Sequence, residues 1–325
     1  LRYLLNRATH NYRAYRTGYE LLPGRQACEW RTGDFAKCGH LEMLRIRLGQ
    51  LKTDSESISD DECNSTDADA AARNGDVDIA RELCAHGIQC TAHGANLAAM
   101  NGHLRVLDYL HAQGIDCTSE GADWAAEAGQ LDAVRDLRKH DIHCTYDGAD
   151  MAAENGHLHV LQDLRAHHIH CTAWGVNKAA ANGCLETIRD LQAHGIHCTS
   201  DGADRAAANG HLEVVRELRA HNIHCTENGA NWAAASGRLE IVHDLRDHGI
   251  HCTPAGADMA ALSGHLTMIQ DLRAHGLDCT SAGADWAAMN GYLEVVRHLR
   301  EHGIHCTSQG ADWAAMRGHL EVVRH

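Results

Sequence analysis

The heptapeptide HGIHCTS at residues 194–200 gathers two histidines, a cysteine and two hydroxyl side chains, a combination that can bind a metal ion. Histidine and cysteine are both competent zinc ligands, but a structural zinc site normally takes four. His197 and Cys198 are adjacent, so their side chains point to opposite sides of an extended connector. Other copies of the phrase carry Gln89 or Asp116 in place of His197. We therefore predict no metal ligand and no cofactor, and interpret the phrase as a connector that contains a buried thiol.

Ten of the fourteen cysteines recur at a fixed interval of 27 residues. A fixed interval places one cysteine in each structural unit, and packed helices lie about 8–10 Å apart. A disulfide requires Cα atoms within about 4.4–6.8 Å, so neighbouring cysteines of this series are out of bonding range. We expect reduced thiols and therefore a cytoplasmic or nuclear compartment. The series consists of Cys63, Cys90, Cys117, Cys144, Cys171, Cys198, Cys225, Cys252, Cys279 and Cys306.

The composition limits the kinds of partner. Lys and Arg number 29 against 44 Asp and Glu, which gives a formal net charge of −15, and such a surface repels nucleic-acid backbones. No apolar run reaches the ~18 residues that a membrane span needs, so we expect no membrane insertion. Leu1 is not an initiator methionine, so we expect a fragment that can have lost a targeting segment. Protonation of all 28 histidines would change the formal charge from −15 to +13, which suggests pH-dependent association.

A 27-residue unit, such as TSDGADRAAANGHLEVVRELRAHNIHC at residues 199–225, repeats along most of the chain. A period of this length indicates a solenoid. In each unit the threonine suits a helix N-cap, the Ala-Ala pair permits close helix packing, and the glycine suits the end of the first helix. A second helix is predicted over 212–221, with Leu212, Val215 and Leu218 on its apolar face.

The segments GHLEVVRELRAH and AHGIHCT, together with Thr253-Pro254 at a helix start, resemble the ankyrin-repeat family. The resemblance covers roughly residues 64–325. An ankyrin unit has about 33 residues, whereas this unit has 27, and the missing residues fall in the connector that builds the projecting β-hairpin of the family. We therefore expect an all-α, ankyrin-like solenoid of helix-turn-helix repeats. It should form a curved stack of about ten units without the hairpin finger.

The sequence predicts three regions. Residues 1–29 are a basic N-terminal element of unspecified fold, and residues 30–63 are a degenerate repeat with a polar, acidic loop at 52–62. Residues 64–325 hold the 27-residue repeats, the last of which is incomplete and stops inside a helix. We expect either further chain or a partner to cover the apolar face of that repeat.

Positions that vary between near-identical repeats are the candidates for recognition. One is the residue after Gly-Ala-Asp. The ankyrin resemblance implies a core Leu at this position, whereas Lys and Arg, which also occur there, resist full burial. Core packing and contact with a partner therefore both stay open. The other is the residue pair before the helix-turn glycine, which in ankyrin proteins faces the concave groove; a solvated face is the alternative. The predicted partner-contacting residues are Met100, Asn101, Trp124, Glu127, Met151, Glu154, Arg205, Trp232, Trp286, Met289, Trp313, Met316 and Arg317.

Nothing outside the repeats has the pattern of an active site, since we find no phosphate loop, nucleophile elbow or unique Cys-His pair. Cys184, which replaces the usual histidine of Gly-His-Leu-Glu, is interpreted as sequence drift. The sequence therefore predicts a non-catalytic scaffold that binds a partner protein along the concave face formed by the first helices. The alternative is a structural spacer or a subunit of a larger assembly that docks through its termini.

Overall fold

The computed structural model describes residues 31–53 and 63–324, which form 22 α-helices and no β-strand. The helices alternate along the chain between a first helix of each repeat (helix A, odd numbers) and a second (helix B, even numbers). This alternation confirms the predicted all-α solenoid of helix-turn-helix repeats. The helices are α1 (Thr32–Lys37), α2 (Leu41–Thr53), α3 (Ser65–Asn74), α4 (Val77–Ala85), α5 (Ala92–Met100), α6 (Leu104–Ala112), α7 (Ser119–Glu127), α8 (Leu131–Lys139), α9 (Tyr146–Glu154), α10 (Leu158–Ala166), α11 (Ala173–Ala181), α12 (Leu185–Ala193), α13 (Ser200–Asn209), α14 (Leu212–Ala220), α15 (Glu227–Ala235), α16 (Leu239–Asp247), α17 (Pro254–Leu262), α18 (Leu266–Ala274), α19 (Ser281–Met289), α20 (Leu293–Glu301), α21 (Ser308–Met316) and α22 (Leu320–Arg324).

Helix A begins directly after the predicted threonine. The Thr226 hydroxyl accepts a hydrogen bond from the Asn228 amide at 3.2 Å and caps α15. Thr253 occupies the same place before Pro254, the first residue of α17. At the other end of helix A, Gly210 has a φ of 94°, the left-handed conformation that closes a helix. These contacts confirm the predicted start and end of the first helix.

Helix B buries one apolar stripe. In α14 the buried residues are Val214, Val215 and Leu218, whereas the predicted Leu212 is only half-buried. The prediction omitted Val214 because it assumed a narrow stripe, and the real one is wide enough for both valines. The helix ends at Ala220, one residue before its predicted end, because the turn into the connector starts there.

The connectors between repeats are too short for a β-hairpin, and the described residues contain none, as predicted. Each connector begins with a residue in the left-handed region, which glycine adopts without strain. Three repeats place Asp141, His168 or Asn222 there, with φ between 61° and 64°. A Cβ at the equivalent Gly249 would meet no atom within 4 Å, so these side chains fit although their backbone torsions are unfavourable.

The described residues fall into two compact units. Residues 31–53, 63–152 and 159–170 form the first, and residues 153–158 and 171–324 form the second. Within each unit, helix A packs mainly against the helix A of neighbouring repeats, and helices B lie less closely against one another.

Alanine fills the space between neighbouring helices A. In α13, Ala203, Ala206 and Ala207 have no exposed surface. Small side chains allow the helix axes to come close, so most of the buried contact of a repeat is made by helix A. No helix of the described residues is long and apolar enough to cross a membrane.

The helix pair α1 and α2 lies in the segment predicted to be a degenerate repeat. Of the predicted loop at 52–62, residues 52 and 53 belong to α2 instead, because α2 has 13 residues where the helices B from α4 to α20 have nine. The rest of that loop and the basic element at 1–29 lie outside the described residues. The division into three regions therefore stays a prediction.

Candidate partner-binding surface

A buried Asp or Asn in helix A holds the start of the next helix A. Asp204 is 4% exposed, and its carboxylate accepts hydrogen bonds from the Thr226 amide at 2.7 Å and the Thr226 hydroxyl at 2.6 Å. We term this pair, with its partners 22 residues apart, the Asp–Thr clamp. It fixes the position of each helix A on the preceding one. The clamps are Asp69–Thr91, Asn96–Thr118 and Asp123–Thr145 in the first unit, and Asn177–Thr199, Asp204–Thr226, Asn231–Thr253, Asp258–Thr280 and Asp285–Thr307 in the second.

Asp and Asn use the threonine hydroxyl in opposite ways. Asp204 accepts the hydroxyl proton, which leaves the hydroxyl oxygen available to cap α15. Asn231 instead donates its Nδ2 to the Thr253 hydroxyl at 2.9 Å, and Thr253 makes no side-chain cap. The other two asparagine clamps also lack the cap, whereas all aspartate clamps except the last have it. The threonine hydroxyl therefore caps the following helix A in four of the five aspartate clamps and in none of the three asparagine clamps.

The clamp carboxylate is buried at a cost. Desolvation raises the pKa of Asp204, although the hydrogen bonds from Thr226 oppose the shift. Burial raises the pKa of Asp123 in the same way against the bonds from Thr145. Asparagine avoids this cost, which explains why both residues occur at one position.

The clamp also explains the glycine of Gly-Ala-Asp. A Cβ at Gly229 would overlap the Asp204 carboxylate and lie 3.0 Å from its Cα, so only glycine permits the observed approach. The N-terminal repeat exchanges the two residues: Gly33 stands at the position of the clamp aspartate, and Asp67 stands at the position of the following glycine. A Cβ at Gly33 would overlap the Asp67 carboxylate. One carboxylate and one glycine are therefore kept at this interface as well.

Most cysteines of the 27-residue series lie beside an Asp–Thr clamp as hydrogen-bonded thiols. Cys225 Sγ donates to the Ala203 carbonyl at 3.3 Å, and burial raises its pKa to about 12. Cys252 and Cys306 are half-buried, and the other eight of the series are buried. The thirteen cysteines within the described residues are all free. The predicted buried, unpaired thiols are thus confirmed for most of the series.

The histidines of HGIHC face away from the thiol. His194 Nδ1 lies 2.7 Å from the Asp190 carbonyl oxygen, to which it donates at the end of α12. His197 is exposed while Cys198 is buried, so the adjacent side chains lie on opposite sides of the connector. Within residues 31–53 and 63–324, no three His, Cys, Asp or Glu side chains converge as metal ligands.

Cys184 takes over the contact of the histidine that it replaces. In the first unit, His103 Nε2 lies 3.0 Å from the Arg73 carbonyl oxygen. In the second, Cys184 Sγ donates to the equivalent Glu154 carbonyl at 3.5 Å, and burial raises its pKa. A raised pKa keeps the thiol protonated, so the contact is structural and agrees with the interpretation as drift.

Helix B carries a second type of clamp. Arg216 Nε lies 2.9 Å from Asp244 Oδ1, and Arg219 Nη1 lies 2.5 Å from Oδ2. Burial by itself raises the pKa of Asp244, but the hydrogen bonds from both arginines outweigh it and hold the pKa below its ordinary value. We term this arrangement the Arg–Asp clamp. It also occurs at Arg135–Arg138–Asp163 and, with one histidine, at His243–Arg246–Asp271.

Other helix-B interfaces lack part of this clamp. Gln192 replaces the second arginine; it is 7% exposed, and its amide atoms have no hydrogen-bond partner in the described part of the chain. The acid that it would reach, Glu217, is bound by Arg189 at 2.9 Å. His298 stands at the position of the acid itself, and burial, with the nearby charge of Arg273, lowers its pKa. Helix-B contacts therefore differ from one interface to the next.

The exposed side of helix A is the candidate binding surface. We define the helix-A surface by four positions of each repeat. In α15 these are Trp232, which follows the clamp residue Asn231; Asn228, four residues before Trp232; and Ala235 and Ser236, the two residues before the glycine that ends the helix. The first of these positions is half-buried, so it is neither core nor fully exposed. At this position Leu97, Trp124, Met151, Lys178, Trp232, Met259, Trp286 and Trp313 are half-buried, and Arg205 is exposed.

All thirteen predicted contact residues lie on the helix-A surface, although some are also bound by neighbours. Asn101 Nδ2 donates to a carbonyl of the preceding repeat at 3.0 Å. Lys178 Nζ lies 3.3 Å from Glu154, and Arg205 Nε lies 2.9 Å from Asp201. Partner contact by the thirteen residues stays a prediction. Met100, Asn101, Trp124, Glu127 and Met151 lie in the first unit and the other eight in the second.

The helix-A surface loses its charge along the second unit. In α11 and α13 it includes Lys178, Asp201 and Arg205. The sixteen positions on α15, α17, α19 and α21, which we term the neutral patch, include one charged residue, Arg317. The sequence shows this only after the exposed positions are known, so Met259 and Leu262, which stand at candidate positions, are absent from the thirteen predicted residues. The patch consists of Asn228, Trp232, Ala235, Ser236, Ala255, Met259, Leu262, Ser263, Ala282, Trp286, Met289, Asn290, Gln309, Trp313, Met316 and Arg317.

The helix pairs and their clamps define a helical-repeat protein similar to ankyrin repeats. No protein-family model and no curated protein matches the chain. Among solved structures, the human ASB11 ankyrin repeat domain is similar at 17% identity over 48% of this chain and 84% of that chain, with a TM-score of 0.42. The pentatricopeptide repeat protein PPR10 bound to an 18-nucleotide psaJ RNA element is similar at 10% identity over 100% of this chain, with a TM-score of 0.46. The chain spans 56% of the length of PPR10, and the fold assignment rests on its own helix pairs.

Proposed function

We propose that the protein is a non-catalytic scaffold that binds a partner protein along the helix-A surface. The supporting observation is that tryptophan and methionine recur after the clamp residue, half-exposed, although alanine already fills the space between the helices. Tryptophan, methionine and arginine are enriched in protein interfaces. The net charge of −15 favours a protein over a nucleic acid as the partner. The free thiols support a reducing compartment.

The test is capture of the partner by the intact protein. Native mass spectrometry of protein purified gently at neutral pH should show the added mass of a bound protein. Replacing Trp232, Trp286 and Trp313 by Ala should abolish that added mass, while Tyr146→Ala, an exposed aromatic outside the helix-A surface, should retain it. Undiminished capture by the triple variant would contradict the proposal.

Cross-linking separates this function from the alternative of a spacer or assembly subunit. A scaffold predicts cross-links concentrated on the helix-A surface. A spacer predicts cross-links confined to residues 1–60 and the last repeat, and that result would replace the scaffold by the alternative.

A further inference from the structure

We propose that the neutral patch docks an amphipathic α-helix of the partner protein through the apolar face of that helix. The inference rests on the proposed scaffold function and names the region and the kind of segment that it binds. It is carried by three observations: the lack of charge, the lack of backbone hydrogen-bonding groups, and the arrangement of the patch over four successive helices A.

Three successive helices A without a charged surface position, α15, α17 and α19, occur only here among the described repeats, although α5 alone is also uncharged. Charged residues make up 22% of the chain, but only one of the sixteen patch positions. The same positions on α13 hold Asp201 and Arg205, which pair with each other at 2.9 Å. Covering a charged pair removes water from both groups at a cost, whereas covering Trp286, Met259 and Leu262 is favourable. The patch therefore suits an apolar partner face better than the neighbouring surface does.

The patch offers an extended segment no strand edge with which to pair its backbone, within the part of the chain that the structure describes. It is built from α-helices, most of whose amides and carbonyls are bonded within the helix, and the described residues contain no strand edge. Its polar side chains are partly occupied: Asn290 donates to the Leu262 carbonyl at 3.0 Å and accepts from Arg317 at 2.9 Å. An extended segment would leave its backbone groups unpaired on docking, whereas a helix pairs its own.

The number of helices sets the length of the segment. Neighbouring packed helices lie about 8–10 Å apart, so four helices A span about 24–30 Å. An α-helix rises about 1.5 Å per residue, so a matching helix has about 16–20 residues. Its apolar residues should recur at the i, i+3, i+4 and i+7 positions that form one helical face.

The experiment uses the 325-residue chain and two labelled peptides of about 18 residues with identical composition. One peptide places leucines at helical spacing among lysine and glutamine, and the other places them at alternate positions. Fluorescence anisotropy should show that the helical peptide binds at least about ten-fold more tightly than the alternating one. Equal affinity, or no binding by the helical peptide up to its solubility limit, overturns the inference.

Substitutions locate the binding. The double variant Met259→Glu/Met289→Glu should weaken the helical peptide at least about ten-fold, since it places two carboxylates under an apolar face. The matched control is Ile46→Glu/Tyr146→Glu, which changes two exposed apolar residues outside the helix-A surface and should leave the affinity unchanged. Circular dichroism checks that both variants stay folded. Unchanged affinity in the double variant overturns the inference.

The cross-linking experiment distinguishes failure of this inference from failure of the scaffold. A partner protein cross-linked to the helix-A surface only outside the neutral patch leaves the scaffold in place and overturns the docking inference. A partner that cross-links nowhere on the helix-A surface removes both.

Discussion

Helices A and helices B of the same repeats are joined by different chemistry. Between helices A, the Asp–Thr clamp recurs at each interface inside the two units from α3 onward. Between helices B, the Arg–Asp clamp is complete at Asp163 and Asp244, varied at Asp271, and interrupted at Gln192 and His298. The uniform interface therefore specifies the stacking, and the variable interface tolerates substitution.

The difference follows from reach and burial. The clamp aspartate is a short side chain that meets a backbone amide, so it has one productive geometry. The arginines are long, so that Arg216, 49% exposed, and Arg219, 17% exposed, reach one buried carboxylate from two positions of the preceding helix B. Loss of the helix-A carboxylate leaves the backbone amide of the threonine without its partner, whereas a helix-B arginine can be replaced by another donor, as His243 replaces it at Asp271.

The largest expected effect comes from closing the space at the helix-A interface. Gly229→Ala places a Cβ 3.0 Å from the Asp204 Cα and against its carboxylate, so the two helices must separate. We expect the free energy of unfolding to fall by about 3 kcal/mol, measured by urea denaturation. The control Gly249→Ala meets no atom within 4 Å and should cost only about 1 kcal/mol through its left-handed torsion. Equal losses would mean that close approach is not what requires the glycine.

The second effect tests the clamp hydrogen bonds themselves. Asp204→Ala leaves the Thr226 amide and hydroxyl without their acceptor, so unfolding should become easier by about 2 kcal/mol. Asp204→Asn keeps a partner for that amide and should change stability by no more than about 1 kcal/mol. Thermal unfolding followed by circular dichroism measures both variants, and a larger loss for Asn than for Ala would contradict the assignment.

A smaller gain is expected from completing a helix-B clamp. Gln192→Arg brings a second guanidinium to Glu217 and removes a buried amide that has no hydrogen-bond partner in the described part of the chain. Stability should rise by about 0.5–1 kcal/mol. In a Glu217→Gln background the same change should give no gain, and a gain that persists there would show that the acid is not the partner.

The two clamps should also respond to acid in opposite directions. The pKa of Asp204 is raised by burial, so its ionised form weakens the fold, and the contribution of this group to stability improves as the pH falls through its folded pKa. The pKa of Asp244 is lowered by its arginines despite burial, so the stability that it contributes is present above its unfolded pKa and is lost as the pH falls through the folded value. Carboxyl ¹³C chemical shifts should therefore titrate at a higher pH for Asp204 than for Asp244. The reverse order would contradict both assignments.

The sequence predicted the helix pairs well because their signals are local. A threonine cap, an alanine pair and a terminal glycine all act within one helix, so Thr226 and Gly210 were placed correctly. The clamps were missed because their partners lie 22 to 28 residues apart and only the fold brings them together. A signal was present, since Gly-Ala-Asp or its Asn form is followed by Thr after 22 residues, but the threonine was assigned to capping alone.

The candidate site was predicted less completely than the fold. The sequence could not decide whether Trp232 and its equivalents are buried or exposed. The structure shows them half-buried, because a large side chain both covers the alanine core and remains in contact with solvent. The neutral patch also depends on knowing which positions share one side of helix A. Ala255 and Gln309, for example, belong to no motif that would mark them as binding residues. They are part of the neutral patch because they are uncharged.

The uniform helix-A interface has a consequence for how the array grows. Each complete repeat carries a glycine and a threonine that fit the repeat before it, and an Asp or Asn that fits the repeat after it. Any repeat can therefore follow any other, and a 27-residue cassette can be duplicated, deleted or exchanged without a new interface. The helix-B contacts do not share this freedom, because Gln192 or His298 would be carried next to a partner that does not match. Exchange of repeats within such an array would therefore keep the helix-A contacts regular and make the helix-B contacts irregular.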